Sequence, residues 1–210
     1  MNTVQDGFPH DGGITRASIL DAASDLLQAD GWERFSMRKL AVCLECAPGT
    51  VYLYFTNKAD LLQCAMDNSF DRLQETLCRL RERRRDGDPV VLLRKALYTY
   101  VEFGLHNPKV YELAFSSQGH NRGVQRQPGL VIESLRSMVA RCVYEDAFRA
   151  AVDVDCTTQA LWAAVHGVTS LLTNVYVEVG GRSKLIEEVI SNALDGLIAA
   201  QKRRAAGLTA

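Results

Sequence analysis

The sequence predicts an all-α chain of about nine helices, a small N-terminal group of three followed by a larger helical region. Three observations carry this. Apolar residues recur at three- and four-residue spacing, the period of a helix with one buried face. Glycine and proline punctuate those runs at intervals, and no stretch alternates as a half-buried strand does. With 47% hydrophobic residues in 210, the chain has ample material for a core and room for one domain or two.

Residues 1–13, MNTVQDGFPHDGG, have neither a basic start nor an apolar centre, so they read as a flexible arm rather than a signal peptide. The first helix runs from about Ile14 to Ala29, with Ala17, Leu20, Ala23, Leu26 and Leu27 on one face and Asp21 and Asp25 on another, and Gly31 stops it. Ser36 caps a second helix whose inward residues are Met37, Leu40, Ala41 and Leu44, with Phe35 as a hydrophobic staple. Pro48 opens a third that ends near Phe55, and Asn57 caps a fourth that finishes near Arg85 in a basic turn. Asp88-Pro89 and Asn107-Pro108 each place a capping residue before a first-turn proline, so two more helices begin there. Residues 116–129 are polar, glycine-rich and aperiodic, hence a loop. Helices from about Leu130 to Arg149 and Asp155 to Val179 follow. Gly180-Gly181 breaks the chain before a last amphipathic helix through Leu185, Ile186, Val189, Ile190, Ala193, Leu194, Leu197 and Ile198.

A net charge of -1 argues against indiscriminate nucleic-acid binding, yet residues 34–58 carry Arg34, Arg38, Lys39 and Lys58 against Glu45 alone. Six cysteines scattered through apolar stretches, without an export signal, suit reduced and buried thiols in a cytoplasmic protein. Cys43 and Cys46 form a C-x-x-C, but a zinc site needs two further ligands and His10, His106, His120 and His166 stand apart. No metal and no cofactor are expected.

The segment APGTVYLYFTNK, residues 47–58, concentrates aromatics in a very short helix. At about 100° per residue, Ala47, Val51 and Phe55 share an inward side. Gly49, Thr50 and Leu53 then face outward, with Tyr52 and Tyr54 on the flanks. A face that is small at its front and carries hydroxyls at its edges suits a helix entering the DNA major groove while flanking groups bond phosphates. Ser36, Arg38, Lys39 and Lys58 supply further donors and positive charge around it. Ordinary packing tyrosines of a helical hairpin are the alternative.

Residues 14–62, above all S-M-R-K-L-A and A-P-G-T-V-Y-L-Y-F-T-N-K-A-D-L-L, resemble the DNA-binding domain of tetracycline-repressor-type (TetR family) bacterial transcriptional regulators. The resemblance implies a helix-turn-helix domain over 14–60, a ligand-binding and dimerisation domain over 61–210, and a homodimer on a roughly palindromic, double-stranded DNA operator. By position it assigns base or groove contact to Pro48, Gly49, Thr50 and Leu53, and phosphate contact to Ser36, Tyr52, Tyr54 and Lys58. Two residues depart from the pattern. Glu45 stands where glycine is usual, at a cost on the order of 1 kcal/mol if the backbone there is left-handed. Ala47 stands where serine or threonine often caps the recognition helix. Residues 1–60 hold five basic and eight acidic side chains, so dimer avidity matters for binding.

Farther along, Ala160 to Val177 is long and apolar, but His166, Thr169, Ser170, Thr173 and Asn174 argue against a membrane span. Its apolar surface and that of the last helix, with Gly167 and Gly196 permitting close approach, suggest a symmetric four-helix interface through Leu172, Ile186, Val189, Ile190, Ala193, Leu194 and Leu197. The alternative is that both surfaces complete the chain's own core. Trp162 to Gly167 and residues 107–115 resemble a subgroup with a Trp-His-Gly signature. Tyr98, Phe103, Tyr111, Phe115, Tyr144, Trp162 and His166 are the candidates to line a pocket for a small hydrophobic or aromatic effector, and each is equally reasonable as core. The resulting expectation is a repressor released from its operator by that effector, through movement of the fourth helix. An activator or effector-independent DNA-binding protein of this fold is the alternative. An all-α enzyme is set aside for want of a nucleophile and base at recognisable spacing, a phosphate loop or paired carboxylates.

Overall fold

In the computed structural model, which describes residues 13–83, 87–115, 129–149, 151–174 and 181–198, nine helices account for about four-fifths of the described chain. They are α1 (Arg16–Arg34), α2 (Met37–Cys43), α3 (Pro48–Tyr52), α4 (Lys58–Arg83), α5 (Pro89–His106), α6 (Pro108–Phe115), α7 (Gly129–Tyr144), α8 (Val154–Asn174) and α9 (Arg182–Asp195). Residues 1–12 of the predicted arm and 116–128 of the predicted loop lie outside the described residues. No described helix is long and apolar enough to cross a membrane.

The head is built from α1 to α3 and the start of α4. Thr15 and Ser18 form a reciprocal capping box that starts α1 two residues later than Ile14. Gly31, at φ 71°, ψ 174°, leaves the helical region as expected, but the chain then winds one more turn to Arg34. The predicted stop is therefore a kink. Ile19, Leu20, Ala23 and Leu27 pack from α1 against Met37, Leu40, Ala41, Val51 and Phe55. Ser36 accepts the Lys39 amide at 3.2 Å and so caps α2.

The turn from α2 to α3 is a Schellman motif: the Cys46 N–H reaches the Ala41 carbonyl at 2.9 Å and the Glu45 N–H reaches that of Val42 at 3.1 Å. Glu45 sits at φ 52°, the left-handed conformation anticipated for it. Glu45→Gly is accordingly expected to stabilise the head by up to about 1 kcal/mol, less the added freedom of the unfolded glycine; chemical denaturation monitored by circular dichroism checks it. Beyond the turn, Ala47 precedes α3 without a side-chain cap and is exposed, so only Val51 and Phe55 anchor that helix. α3 ends at Tyr52 rather than Phe55, because Leu53 and Tyr54 close a final turn toward Gly49, Thr50 and Val51.

In the body, α5 and α8 lie at the centre, with α4, α6, α7 and α9 packed around them. Asp88 caps α5 as expected, its carboxylate accepting the Val90 amide at 2.8 Å. Asn107 behaves otherwise. Its side chain turns back to the Phe103 carbonyl, and the open Lys109 amide of α6 is met by the Gln28 side chain of α1 at 2.9 Å. An isolated bridge between Phe148 and Ile198, with the Arg149 amide on the Leu197 carbonyl at 2.8 Å, ties the end of α9 to the segment after α7.

Four predicted interface residues belong to this core instead. Leu172, Ile186, Ile190 and Leu194 are buried within the chain, where α9 packs on α8 and α5. The stripe on α9 is broad enough to face its own body and still leave Val189, Ala193 and Leu197 at its edge, half-buried. Arg94 on α5 reinforces the seam with a 2.8 Å bond to Ser191. The expectation of buried thiols likewise holds for Cys142 alone: Cys43 and Cys156 are exposed, and Cys46, Cys64 and Cys78 are half-buried. Cys64 packs beside Arg16, whose guanidinium donates to its sulfur at 3.1 Å, while burial pushes the thiol pKa up.

Candidate functional site

The exposed surface of α3 follows from how few of its residues reach the core. Val51 and Phe55 are buried, and everything between them turns outward. Pro48 and Gly49 are exposed, Leu53 is 75% exposed, and Thr50 is half-buried beside them. A Cβ added at Gly49 would meet nothing within 4 Å, so the described residues leave this face open. Tyr52 and Tyr54 flank it, both exposed. Tyr52 is 54% exposed, whereas the Tyr54 hydroxyl donates to the Ile14 carbonyl at 3.1 Å and braces the start of α1.

The predicted cations divide sharply. Lys58 is a structural residue: its ammonium donates to the Trp32 and Phe35 carbonyls, each at 2.8 Å, and lies 4.5 Å over the Trp32 ring. The expected phosphate contact gives way to a staple holding α4 against the end of α1. Capping explains its position. The Asn57 side chain accepts the Asp60 amide at 2.9 Å, and Asp60 accepts the Thr56 amide at 2.8 Å, which fixes Lys58 as the first residue of α4. Those Thr56 bonds, backbone first, hold the Asp60 carboxyl below its usual range. Lys39 pairs with Asp30 at 2.7 Å but remains half-exposed. Arg38 and Arg34 are exposed, and no partner holds either among the described residues. Sequence reasoning counted Arg34 in the local charge without assigning it a role.

A second constellation lies in the body. Phe103, Tyr111, Phe115, Trp162 and His166 converge from α5, α6 and α8: the Phe115 ring centre lies 4.4 Å from that of His166 and 4.7 Å from that of Tyr111, and the Trp162 ring stacks on His166 with centres 5.1 Å apart. A hydrogen-bond chain runs through it, from Trp162 Nε1 to Tyr100 Oη at 3.2 Å, on to Tyr111 Oη at 3.1 Å, and to His166 Nδ1 at 2.5 Å. The Tyr100 and Tyr111 hydroxyls can each donate or accept along this chain, and His166 Nδ1 takes the complementary role according to its tautomer. Burial, with the Tyr100 phenol beside it, pushes the Tyr111 pKa far upward, so Tyr111 stays protonated.

Two members were missed. Tyr100 lies one turn from Phe103 on α5, a spacing that could have selected it over Tyr98, which faces away half-buried. Phe70 on α4 meets Phe103 at 4.8 Å, a long-range contact that no local pattern signals. Tyr144 is a correction: at 88% exposed on the last turn of α7 it lines no pocket. A separate cleft of about 500 Å³ opens between α1, α4 and α5. It is polar, edged by Asp21, Asp25, Arg72, Glu102 and His106, and of the predicted pocket residues includes only Phe103.

Comparison with known proteins covers both regions. Residues 19–65 match the family described as bacterial regulatory proteins, tetR family, and residues 93–197 match the tetracyclin repressor-like C-terminal domain. The chain is 23% identical over 164 residues to an uncharacterized HTH-type transcriptional regulator of Bacillus subtilis, spanning 76% of this chain and 80% of that one. It is 40% identical over 58 residues to the HTH-type transcriptional repressor KstR of Rhodococcus jostii, covering 28% of this chain and 27% of the relative. Among solved structures, a protein of unknown function from Rhodococcus sp. RHA1 superposes with a TM-score of 0.72 at 18% identity, over 92% of this chain and all of that one (100%).

Proposed function

The chain belongs to the tetR family of bacterial DNA-binding transcriptional regulators, and from that premise we propose a homodimeric repressor, acting in the cytoplasm, that a small hydrophobic or aromatic effector releases from a palindromic operator. The observation that carries the DNA-binding half is the outward face of α3, which no part of the described chain covers. Two such helices enter successive major grooves about 34–36 Å apart. Thr50 and Leu53 meet base edges with Pro48 and Gly49 close to them; Tyr52, Arg38 and the half-exposed Lys39 bond phosphates, with Arg34 beside them. Ser36 and Tyr54 act mainly by holding α2 and α1 in position.

Dimerisation uses the faces the monomer leaves open. Ala160, Ala163, Gly167 and Leu171 are exposed along α8, and Val189 and Ala193 are half-buried on α9. A Cβ at Gly167 meets nothing within 4 Å, which leaves space for a partner helix. The aromatic cluster is the effector region. Phe103, Phe115, Trp162 and His166 are half-buried, and Phe70 brings α4 to their edge. A molecule entering there displaces α4, the helix that starts in the head, and a coupling of a few kcal/mol suffices to release DNA.

Selection of bound DNA from a random pool, followed by gel shifts over a salt series, tests the reading; binding no tighter than to random duplex removes it. Within that experiment, Tyr52→Phe is expected to cost about 1 kcal/mol per half-site on every sequence alike. Thr50→Val is expected to change which sequence is selected. The opposite pattern reverses their roles.

A further inference from the structure

We infer that Leu53 reads a thymine 5-methyl group, so that each operator half-site carries a thymine that this protein recognises by its methyl rather than by hydrogen bonds. The inference rests on α3 docking in the major groove as proposed above. Four residues form the outward face of α3. Proline offers no donor, glycine no side chain, and leucine no polar atom, so the half-buried Thr50 hydroxyl is the only polar side-chain group there.

Of the neighbours, the exposed Tyr52, Arg38 and Arg34 are the groups assigned above to phosphates, and the others are engaged within the chain. Lys58 is committed to the Trp32 and Phe35 carbonyls and Lys39 is paired with Asp30. The flanking Tyr54 hydroxyl is engaged with the Ile14 carbonyl. Bidentate reading of guanine or adenine needs an arginine, lysine, asparagine or glutamine, and α3 holds none.

An exposed leucine is unremarkable alone. Here, however, Leu53 is 75% exposed on a face otherwise made of proline, glycine and one threonine, in a domain whose partner is a polyanion. The only apolar group that the floor of the major groove presents is the thymine methyl. Burying it against Leu53 is the one base-specific interaction this side chain can make. One methyl is worth about fourfold in affinity (about 0.8 kcal/mol), and the two half-sites of a dimer multiply to about 15-fold.

The test uses full-length protein and the duplex it selects. Each thymine is replaced in turn by deoxyuridine, which keeps the base pair and removes only the methyl. One thymine per half-site is expected to respond, by about fourfold singly and about 15-fold when both half-sites are changed. Leu53→Ala should bind thymine and deoxyuridine operators equally at that position, with an unchanged melting temperature because the side chain lies outside the core. Equal binding of wild type to both duplexes at every thymine, with specific binding intact, overturns the inference. So does a response that persists undiminished in Leu53→Ala, which transfers the contact to the Thr50 methyl. Failure to select any sequence is a different result: it removes groove docking itself.

Discussion

Lys58→Met is expected to destabilise the protein by about 2–3 kcal/mol while leaving the salt dependence of DNA binding unchanged. The ammonium donates two charge-assisted hydrogen bonds to carbonyls at the end of α1 and beyond it, and covers the Trp32 ring. A charged hydrogen bond contributes about 1.5–3 kcal/mol, and the terms overlap because one group makes them all. A lysine at the first position of a helix is opposed by the dipole of that helix. It is tolerated here because the same charge faces the carbonyl end of another helix. Methionine keeps the length and the apolar stem but removes both charged donors, leaving the Trp32 carbonyl with the weaker Phe35 amide at 3.3 Å. For a chain of this size the melting temperature should fall by roughly 4–12 °C. A lysine on phosphate would behave in the opposite way, with stability unchanged and the salt slope reduced by about 1 per subunit. Calorimetry and gel shifts at three salt concentrations separate the two outcomes.

The same residue shows where a sequence stops being informative. The helical order, the caps at Ser36, Asn57 and Asp88 and a break in the helix at Gly31 were legible because each depends on neighbours within about four positions, whereas the left-handed turn at Glu45 followed from the family resemblance. The outward face of α3 was legible for the same reason, from a wheel of nine residues. What failed depends on distance along the chain. Lys58 meets Trp32 from 26 positions away, and Gln28 replaces Asn107 as the cap of α6 from 81. Nor can an apolar stripe state what covers it: Ile186, Ile190 and Leu194 turned out to be covered by the chain's own α5 and α8. The aromatic cluster falls between. Phe103, Tyr111, Phe115, Trp162 and His166 were chosen by type and do converge, but Tyr144, chosen on the same grounds, stands in solvent.

Gly104→Ala is expected to be the most damaging single methyl in the body, at about 3 kcal/mol, because α5 has no space to accept it. The new Cβ would lie 2.2 Å from Thr169 Cγ2 and 3.1 and 3.2 Å from two atoms of the Tyr111 ring. Neither neighbour can swing aside cheaply. The Thr169 hydroxyl is bonded to the Val165 carbonyl at 2.6 Å, which fixes the rotamer that aims its methyl at Gly104. Tyr111 is held at its hydroxyl by Tyr100 and His166. Overpacking of this kind costs about 1–3 kcal/mol, and the upper end applies where every contact atom is restrained. Thr169→Ser removes the clashing methyl and keeps the hydroxyl, so it should restore more than 1 kcal/mol in the double variant while costing stability by itself; thermal unfolding of the four proteins of that cycle gives the coupling. Because Tyr100 lies one turn before Gly104 on α5, a helix pushed away from α8 also lengthens the Tyr100–Tyr111 and Trp162–Tyr100 bonds, and Trp162 emission should shift with it. If the aromatic cluster is the effector region, this variant should mimic an occupied site, with weaker operator binding in the absence of any small molecule and recovery in the Thr169→Ser background. Operator affinity that stays at the wild-type value while Trp162 emission changes would separate the cluster from the head and leave it a core.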